Sequence, residues 1–291
     1  MLAIVGASGF IGSSVVEALS PQLREFLAID LVKPKSDCNW LIADIGEAAT
    51  IERIFFEYAV ETVVHLVGLP QIALCEKDPH FSYLLNIQSV HNTLEAMRKT
   101  NVKRIIFASS AAVYRTQDKA ASEEDLPSPN TIYGYHKYVS EELIKAYSHS
   151  YGLDFLILRL FNVYGQDPQQ GKDVVSIFLR QAKMGESLFV KGMNKYRDFV
   201  NIRDVVRVFI EASSTSASNR ILNVGTGVKV TLGELVDLLK EVFPKIKVEH
   251  QATPDDGKGL VADIALCQKM FNFSPTSPYD GIRAYIKRHA K

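Results

Sequence analysis

Through the first half of the chain, short apolar runs alternate with stretches where apolar residues recur every three or four positions. The runs are Leu2–Val5, Phe26–Ile29, Thr62–Leu66, Arg104–Ala108 and Phe155–Arg159. Each is too short for a helix and nearly continuous in its apolar character, so they predict strands of a parallel sheet covered on both faces. The stretches at about 11–21, 48–58, 81–100 and 133–151 carry the helical period and supply the crossovers. Strand–helix–strand connections are right-handed, so this alternation predicts an α/β fold built on a doubly wound parallel sheet.

After Asn162 the rhythm changes. Residues 163–173 (VYGQDPQQGKD) are polar and rich in Gly, Gln and Pro, and predict a loop. Helical patterns follow at about 174–184, 203–213 and 231–243, with a short strand near Arg220–Val224 and a turn-rich connection before a last helix. Residues 1–162 are therefore expected to form a sheet-bearing domain. Residues 163–291 form a smaller, partly interleaved substrate-binding region, with some segments returning to the first domain.

Composition narrows the partners. In 291 residues, 47% are hydrophobic and the formal net charge is zero, which removes the electrostatic basis for a nucleic-acid or anionic-membrane partner. Cys38, Cys75 and Cys267 are isolated, and neither they nor the histidines show metal-ligand spacing, so free thiols and no metal are expected. The apolar start MLAIVGASGFIG lacks a positively charged leader, and no run approaches the roughly 18 apolar residues of a membrane helix. The chain reads as a cytoplasmic protein.

The first β-α-β unit carries the first chemistry. In LAIVGASGFIGSSVVEAL, Gly6, Gly9 and Gly12 fall between an apolar strand and an amphipathic helix. A tight turn, close approach of a pyrophosphate and helix–strand packing each require a glycine, and the helix N-terminus offers amides to phosphate. Asp30 ends the next strand, where a carboxylate bonds the ribose hydroxyls of NAD and repels the 2′-phosphate of NADP. NAD is thus the expected cofactor. Asp44, after another apolar run, reads either as part of a helix N-cap region or as an adenine contact.

A nicotinamide site also needs a group that moves a hydroxyl proton. The strand RIIFA ends at Ser109 and Ser110, on the edge where open α/β sheets place their sites. Downstream, Tyr133 precedes Lys137 by four residues, one helical turn, so phenol and ammonium can share a site. An ammonium and a cationic nicotinamide would both favour phenolate. Tyr133 could then serve as general base, with Ser110 fixing the substrate oxygen and Lys137 holding the nicotinamide ribose. The plainer alternative is a surface tyrosine–lysine contact.

These motifs resemble the extended short-chain dehydrogenase/reductase family, and within it the NAD-dependent epimerase/dehydratase group that includes UDP-glucose 4-epimerases. The resemblance rests on GASGFIG, HLVGL at 65–69, Asn86, SSAAVY at 109–114, YGYHK at 133–137, LRLFNVYG at 158–165, YRDFVNIRDV at 196–205 and NVGTG at 223–227. It implies a Rossmann fold with Gly6, Gly9, Phe10 and Ile11 at the pyrophosphate, Asp30 at the adenosine ribose, and Asp44 with Ile45 at adenine. Leu66, Val67 and Gly68 would border the cofactor, and Ser110, Tyr133 and Lys137 would form the catalytic set. Asn162 and Arg197 would contact a nucleotide-sugar substrate. The alternative for Arg197 is a surface salt bridge with Asp198 or a neighbouring acid. The helices near 81–100 and 133–151 resemble those of a family homodimer interface.

Ala111 and Ala112 stand where 4,6-dehydratases of the family carry an acid, so elimination and decarboxylation are disfavoured. The remaining chemistry is transient oxidation at a sugar carbon: 4-epimerisation, most simply of a UDP-hexose. Two readings stand beside it: a reductase or dehydrogenase of a keto-sugar nucleotide or small hydroxy acid, and a non-catalytic nucleotide sensor. The sequence departs from the family at Pro70, at Arg115, and at QATPDDGKG, where Lys258 replaces an expected arginine as a point charge.

Overall fold

In the computed structural model, residues 1–20, 25–33 and 38–290 are described. The predicted strands form as β1 (Leu2–Val5), β2 (Phe26–Asp30), β4 (Thr62–His65), β5 (Arg104–Ser110) and β6 (Asp154–Leu160), and a short strand not predicted, β3 (Trp40–Ile42), joins them. The residues of β1, β2, β4, β5 and β6 are almost wholly buried, Ala3, Ile4, Val5, Val63, Ile105 and Ile157 among them, which is why the runs are apolar on both sides of the pleat. With a later strand, Arg220–Val224, strands β1 to β6 build a seven-stranded sheet. Leu2 stands opposite both Phe26 and Thr62, Thr62 opposite Arg104, and Ala28 opposite Trp40, all in parallel register. Neighbours in the order β3-β2-β1-β4-β5-β6 reverse direction of growth at β1, so the chain winds first one way and then the other.

The covering helices of this half are α1 (Phe10–Leu19), α2 (Ala48–Glu57), α3 (Ile72–Lys77), α4 (Pro79–Tyr83), α5 (Ser89–Thr100) and α6 (Ile132–Tyr151). The ends of α6 are written in its sequence. Thr131 accepts from the Gly134 amide at 3.1 Å, and Gly152 terminates the helix at φ +68°, a conformation free of strain only without a side chain. The single helix expected over 81–100 is instead three pieces. Between α4 and α5, Leu84–Gln88 makes a π-helical turn that carries Asn86. A single i→i+5 turn of five residues is too short for a periodic pattern to reveal.

The second half supplies β7 (Asn162–Tyr164), α7 (Val174–Met184), β8 (Leu188–Lys191), β9 (Tyr196–Arg197), β10 (Phe199–Asn201), α8 (Ile202–Ser214), β11 (Arg220–Val224), β12 (Val230–Thr231), α9 (Leu232–Lys240), β13 (Val248–Gln251), β14 (Gly259–Leu260), α10 (Ala265–Phe271) and α11 (Pro278–His289). The loop expected from residue 163 thus begins only after Tyr164, because β7 pairs with β10, Asn162 opposite Phe199. Strand β9 lies between β12 and β14.

The chain forms two compact units. The first comprises residues 1–114, 127–159 and 206–222, and the second comprises 115–126, 160–205 and 223–291. Each has its own core: Val5, Ile29, Phe55, Leu94, Ile105 and Phe107 in the first, and Tyr164, Leu179, Phe199, Leu235 and Ile286 in the second.

Candidate active site

The glycine loop joins β1 to α1 as the spacing predicts. Gly6 has φ +86°, and a β-carbon there would come within 2.8 Å of the Val67 amide nitrogen. Only a residue without a side chain lets the end of β4 approach this turn. Helix α1 begins at Gly9 with no side-chain cap, so its first-turn amides, those of Phe10 and Ile11 included, are donors of the kind that bind phosphate. Asp30 stands at the end of β2. Its carboxylate accepts from the Ser8 amide at 2.8 Å and the Leu31 amide at 2.7 Å, which fixes its orientation beside the loop.

The other expected cofactor residues follow the neighbouring strand ends. Asp44 comes just after β3 and is not the N-cap of α2, a position held by Glu47. Its Oδ1 accepts from Gly46 N at 2.7 Å, closing a turn, and Asn92 donates to the Ile45 and Gly46 carbonyls at 3.1 and 2.8 Å. Leu66 follows β4 and donates to Val5 O at 2.8 Å. A β-carbon at Gly68 would meet Asn86 Oδ1 at 2.8 Å and Lys137 Nζ at 3.3 Å, so Gly68, Asn86 and Lys137 are neighbours. A turn that admits no β-carbon, uncapped amides and an oriented carboxylate together fit a dinucleotide.

At the end of β5 the structure brings the Ser110 hydroxyl beside the Tyr133 phenol. Tyr133 and Lys137 are both buried. Lys137 Nζ donates to the Ala108 carbonyl at 2.8 Å and lies 4.7 Å from the Phe107 ring centroid. The surface-contact reading of this pair is therefore excluded. The electrostatics differ from expectation. Burial pushes the Tyr133 phenol up to about 12, the Ser110 hydroxyl opposes it, and Lys137 is not among the groups that lower it. Burial likewise pushes the Lys137 ammonium down to about 8, with Glu141 and then Cys75 acting to raise it. His65, wholly buried at the end of β4 with its ring 5.8 Å from that of Phe107, is held neutral, its pKa lowered to about 3 by burial and then by Lys137.

Asn162 and Arg197 belong to the second unit, and Asp198 connects them. Asn162 donates its amide (2.9 Å) and its Nδ2 (3.2 Å) to the Asp198 carbonyl. The Asp198 carboxylate does not pair with Arg197. It accepts instead from Thr226 N and Oγ1, both at 2.7 Å, from Gly227 N at 2.9 Å and from Ala262 N at 3.0 Å. Arg197 donates to the Tyr196 carbonyl at 2.9 Å, and burial lowers its pKa. It is thus not the surface salt bridge that was the alternative. A largely desolvated guanidinium is suited to an incoming phosphate.

Two partners of the site were not legible as such. Arg159 closes the predicted strand run Phe155–Arg159, and Glu141 falls within the helical stretch 133–151; neither is among the predicted site residues. Both are buried, and they pair with each other. The available signal was spacing: Tyr133, Lys137 and Glu141 succeed one another at intervals of four, on one helix face.

A doubly wound sheet with a glycine turn, an acid at the end of β2 and a Ser–Tyr–Lys group whose Tyr133 and Lys137 are buried defines a nicotinamide-dependent enzyme. The model of the NAD dependent epimerase/dehydratase family matches residues 2–225, and the chain belongs to that family, with NAD as its cofactor. A putative UDP-glucose 4-epimerase of Methanocaldococcus jannaschii is 34% identical over 253 residues, 82% of this chain and 81% of that one. The UDP-glucose 4-epimerase of Thermotoga maritima, solved with UDP-glucose, superposes with a TM-score of 0.89 at 28% identity, covering 98% of this chain and 97% of that one. The UDP-glucose 4-epimerase of Thermus thermophilus, solved with NAD, gives 0.87 at 27% identity, with 99% and 98% covered.

Proposed function

We propose that the protein is a UDP-hexose 4-epimerase in which Tyr133 moves the proton of the C4 hydroxyl. The observation that carries this reading is the buried pair of Tyr133 and Lys137, one helical turn apart on α6, with Ser110 of the β5 end beside the Tyr133 phenol. Bound NAD supplies a two-electron acceptor that returns the same electrons. The residues of the chain do the rest. Ser110 Oγ, already fixed by accepting from Ala112 N at 3.1 Å, orients the hydroxyl through its own proton. Tyr133 Oη takes the proton and gives it back, a role for which its neutral resting form requires activation by the charges that gather on binding. Lys137, held by the Ala108 carbonyl, presents its remaining protons to the nicotinamide ribose.

Gly6, Gly9, Phe10 and Ile11 hold the pyrophosphate, Asp30 the adenosine ribose, and Asp44 with Ile45 the adenine. Leu66, Val67 and Gly68 border the cofactor. Asn162 and Arg197 take the substrate diphosphate. Ala111 and Ala112 put no acid or base after Ser110, which supports return of the electrons to the same carbon over loss of water.

The test is incubation with UDP-galactose, followed by NMR of the sugar. Conversion to UDP-glucose without net reduction of added NAD is expected. A keto sugar accumulating with stoichiometric reduced cofactor would show a dehydrogenase instead.

The reading extends to a homodimer in the cytoplasm. Phe81, Tyr83, Tyr135 and Val139 leave large apolar surface exposed on α4 and α6. Among the described residues no helix is long and apolar enough to cross a membrane. A monomeric mass at micromolar concentration would remove the dimer.

A further inference from the structure

Glu141 and Arg159 are buried and take no part in the chemistry derived above. The Glu141 carboxylate accepts from Arg159 Nε at 3.0 Å and Nη2 at 2.7 Å, and from the Ser109 hydroxyl at 2.5 Å. Arg159 Nη1 donates to the Tyr114 hydroxyl at 2.8 Å, and the guanidinium lies 4.8 Å from the centroid of that ring. One closed network thus ties α6, β5 and β6 together inside the first unit. A buried ion pair is no more stabilising than apolar residues of the same shape, so stability alone does not account for it. What distinguishes it is what it adjoins. Ser109 immediately precedes Ser110, and Glu141 lies one turn beyond Lys137 and two beyond Tyr133.

We propose that Glu141 is a positioning residue: through Ser109 and Arg159 it locks the strand end bearing Ser110 onto the helix bearing Tyr133 and Lys137, and it is the counter-charge that keeps Lys137 an ammonium. The titratable groups around Lys137 are His65 from β4, Cys75 from α3, and Tyr133 and Glu141 from α6 itself; β5 contributes the Ala108 carbonyl and the Phe107 ring. His65 and Tyr133 are neutral at pH 7. Glu141, paired with the Arg159 guanidinium of β6, is the first of the groups favouring the charged form of Lys137.

The inference rests on Ser110, Tyr133 and Lys137 being the reactive set, and its test separates the two. In NAD-saturated protein, the 13Cε resonance of Lys137, assigned by its loss in Lys137→Arg, is followed against pH in the wild type, Glu141→Gln and Glu141→Asp. The Gln variant should lower the Lys137 midpoint by about one pH unit or more, and the Asp variant should keep it near the wild-type value. An unchanged midpoint in Glu141→Gln overturns the proposal. Should that variant lack a cooperative thermal transition, Ser109→Ala decides. A drop in kcat of roughly tenfold with KM little changed supports the lock, and an unchanged kcat overturns it. If Tyr133→Phe were fully active, the reactive set would be wrong, while the Lys137 titration would still report on Glu141.

Discussion

A β-carbon on Gly12 would lie 2.0 Å from the Gly6 carbonyl oxygen, closer than any non-bonded carbon and oxygen can stand. The third glycine of the loop is therefore required by packing of α1 against the turn, independently of any ligand. Gly12→Ala must push α1 away from β1. A loss of about 1–3 kcal/mol of stability is expected from such overpacking, together with weakened NAD retention. Thermal melts with and without added NAD check both.

Tyr133→Phe keeps the buried ring and removes only the hydroxyl beside Ser110. Turnover of UDP-galactose should fall by about 10²–10⁴-fold, the usual contribution of a positioned acid–base group, with NAD still bound. Steady-state kinetics, with mass spectrometry of the small molecules released on denaturation, measures the two effects apart.

Asp30 is oriented by the Ser8 and Leu31 amides, so its negative charge stands at a fixed place beside the glycine loop. Asp30→Asn keeps the shape and removes the charge. NAD affinity should weaken while that for NADP improves, narrowing the preference by tenfold or more for each roughly 1.4 kcal/mol of repulsion relieved. Fluorescence titration of the stripped protein with each cofactor gives the ratio.

His65 carries a stability signal on the acid side. Its folded pKa of about 3 lies below the ordinary histidine value of 6.5, so between these values the unfolded chain binds a proton that the native one does not. Stability contributed by the neutral ring is complete above pH 6.5 and is lost as pH falls towards 3. His65→Leu should make the dependence of unfolding free energy on pH shallower across this window, by up to about 1.4 kcal/mol per pH unit. Urea denaturation at a series of pH values would show it; parallel curves would mean that the ring is protonated in the native state.

The elements legible in advance were those whose pattern is local. Leu2–Val5, Arg220–Val224 and Val174–Met184 stand in the structure at the bounds their sequences imply. Trp40–Ile42, Asn162–Tyr164 and Tyr196–Arg197 did not announce themselves, because two- or three-residue strands exist only through partners far along the chain. The site divides in the same way. Gly6, Asp30, Tyr133 and Lys137 follow from spacing within one loop, one strand or one helix. The clasp of Asp198 on Thr226, Gly227 and Ala262 joins residues up to 64 positions apart, and nothing local marks it. Nor could spacing foretell that burial would dominate the titration of Tyr133 and Lys137, since that depends on how deeply the whole unit encloses them.

The two compact units alternate along the chain in six segments, so the polypeptide passes between them five times. Neither unit is encoded by one uninterrupted stretch. The first lacks its final segment, which brings most of β11, until residue 222 has been made. At about 5–20 residues per second, roughly 3–12 s pass between the end of β6 at Leu160 and the completion of that segment. During synthesis the growing chain therefore holds an unfinished sheet edge, set by the order in which its parts arrive.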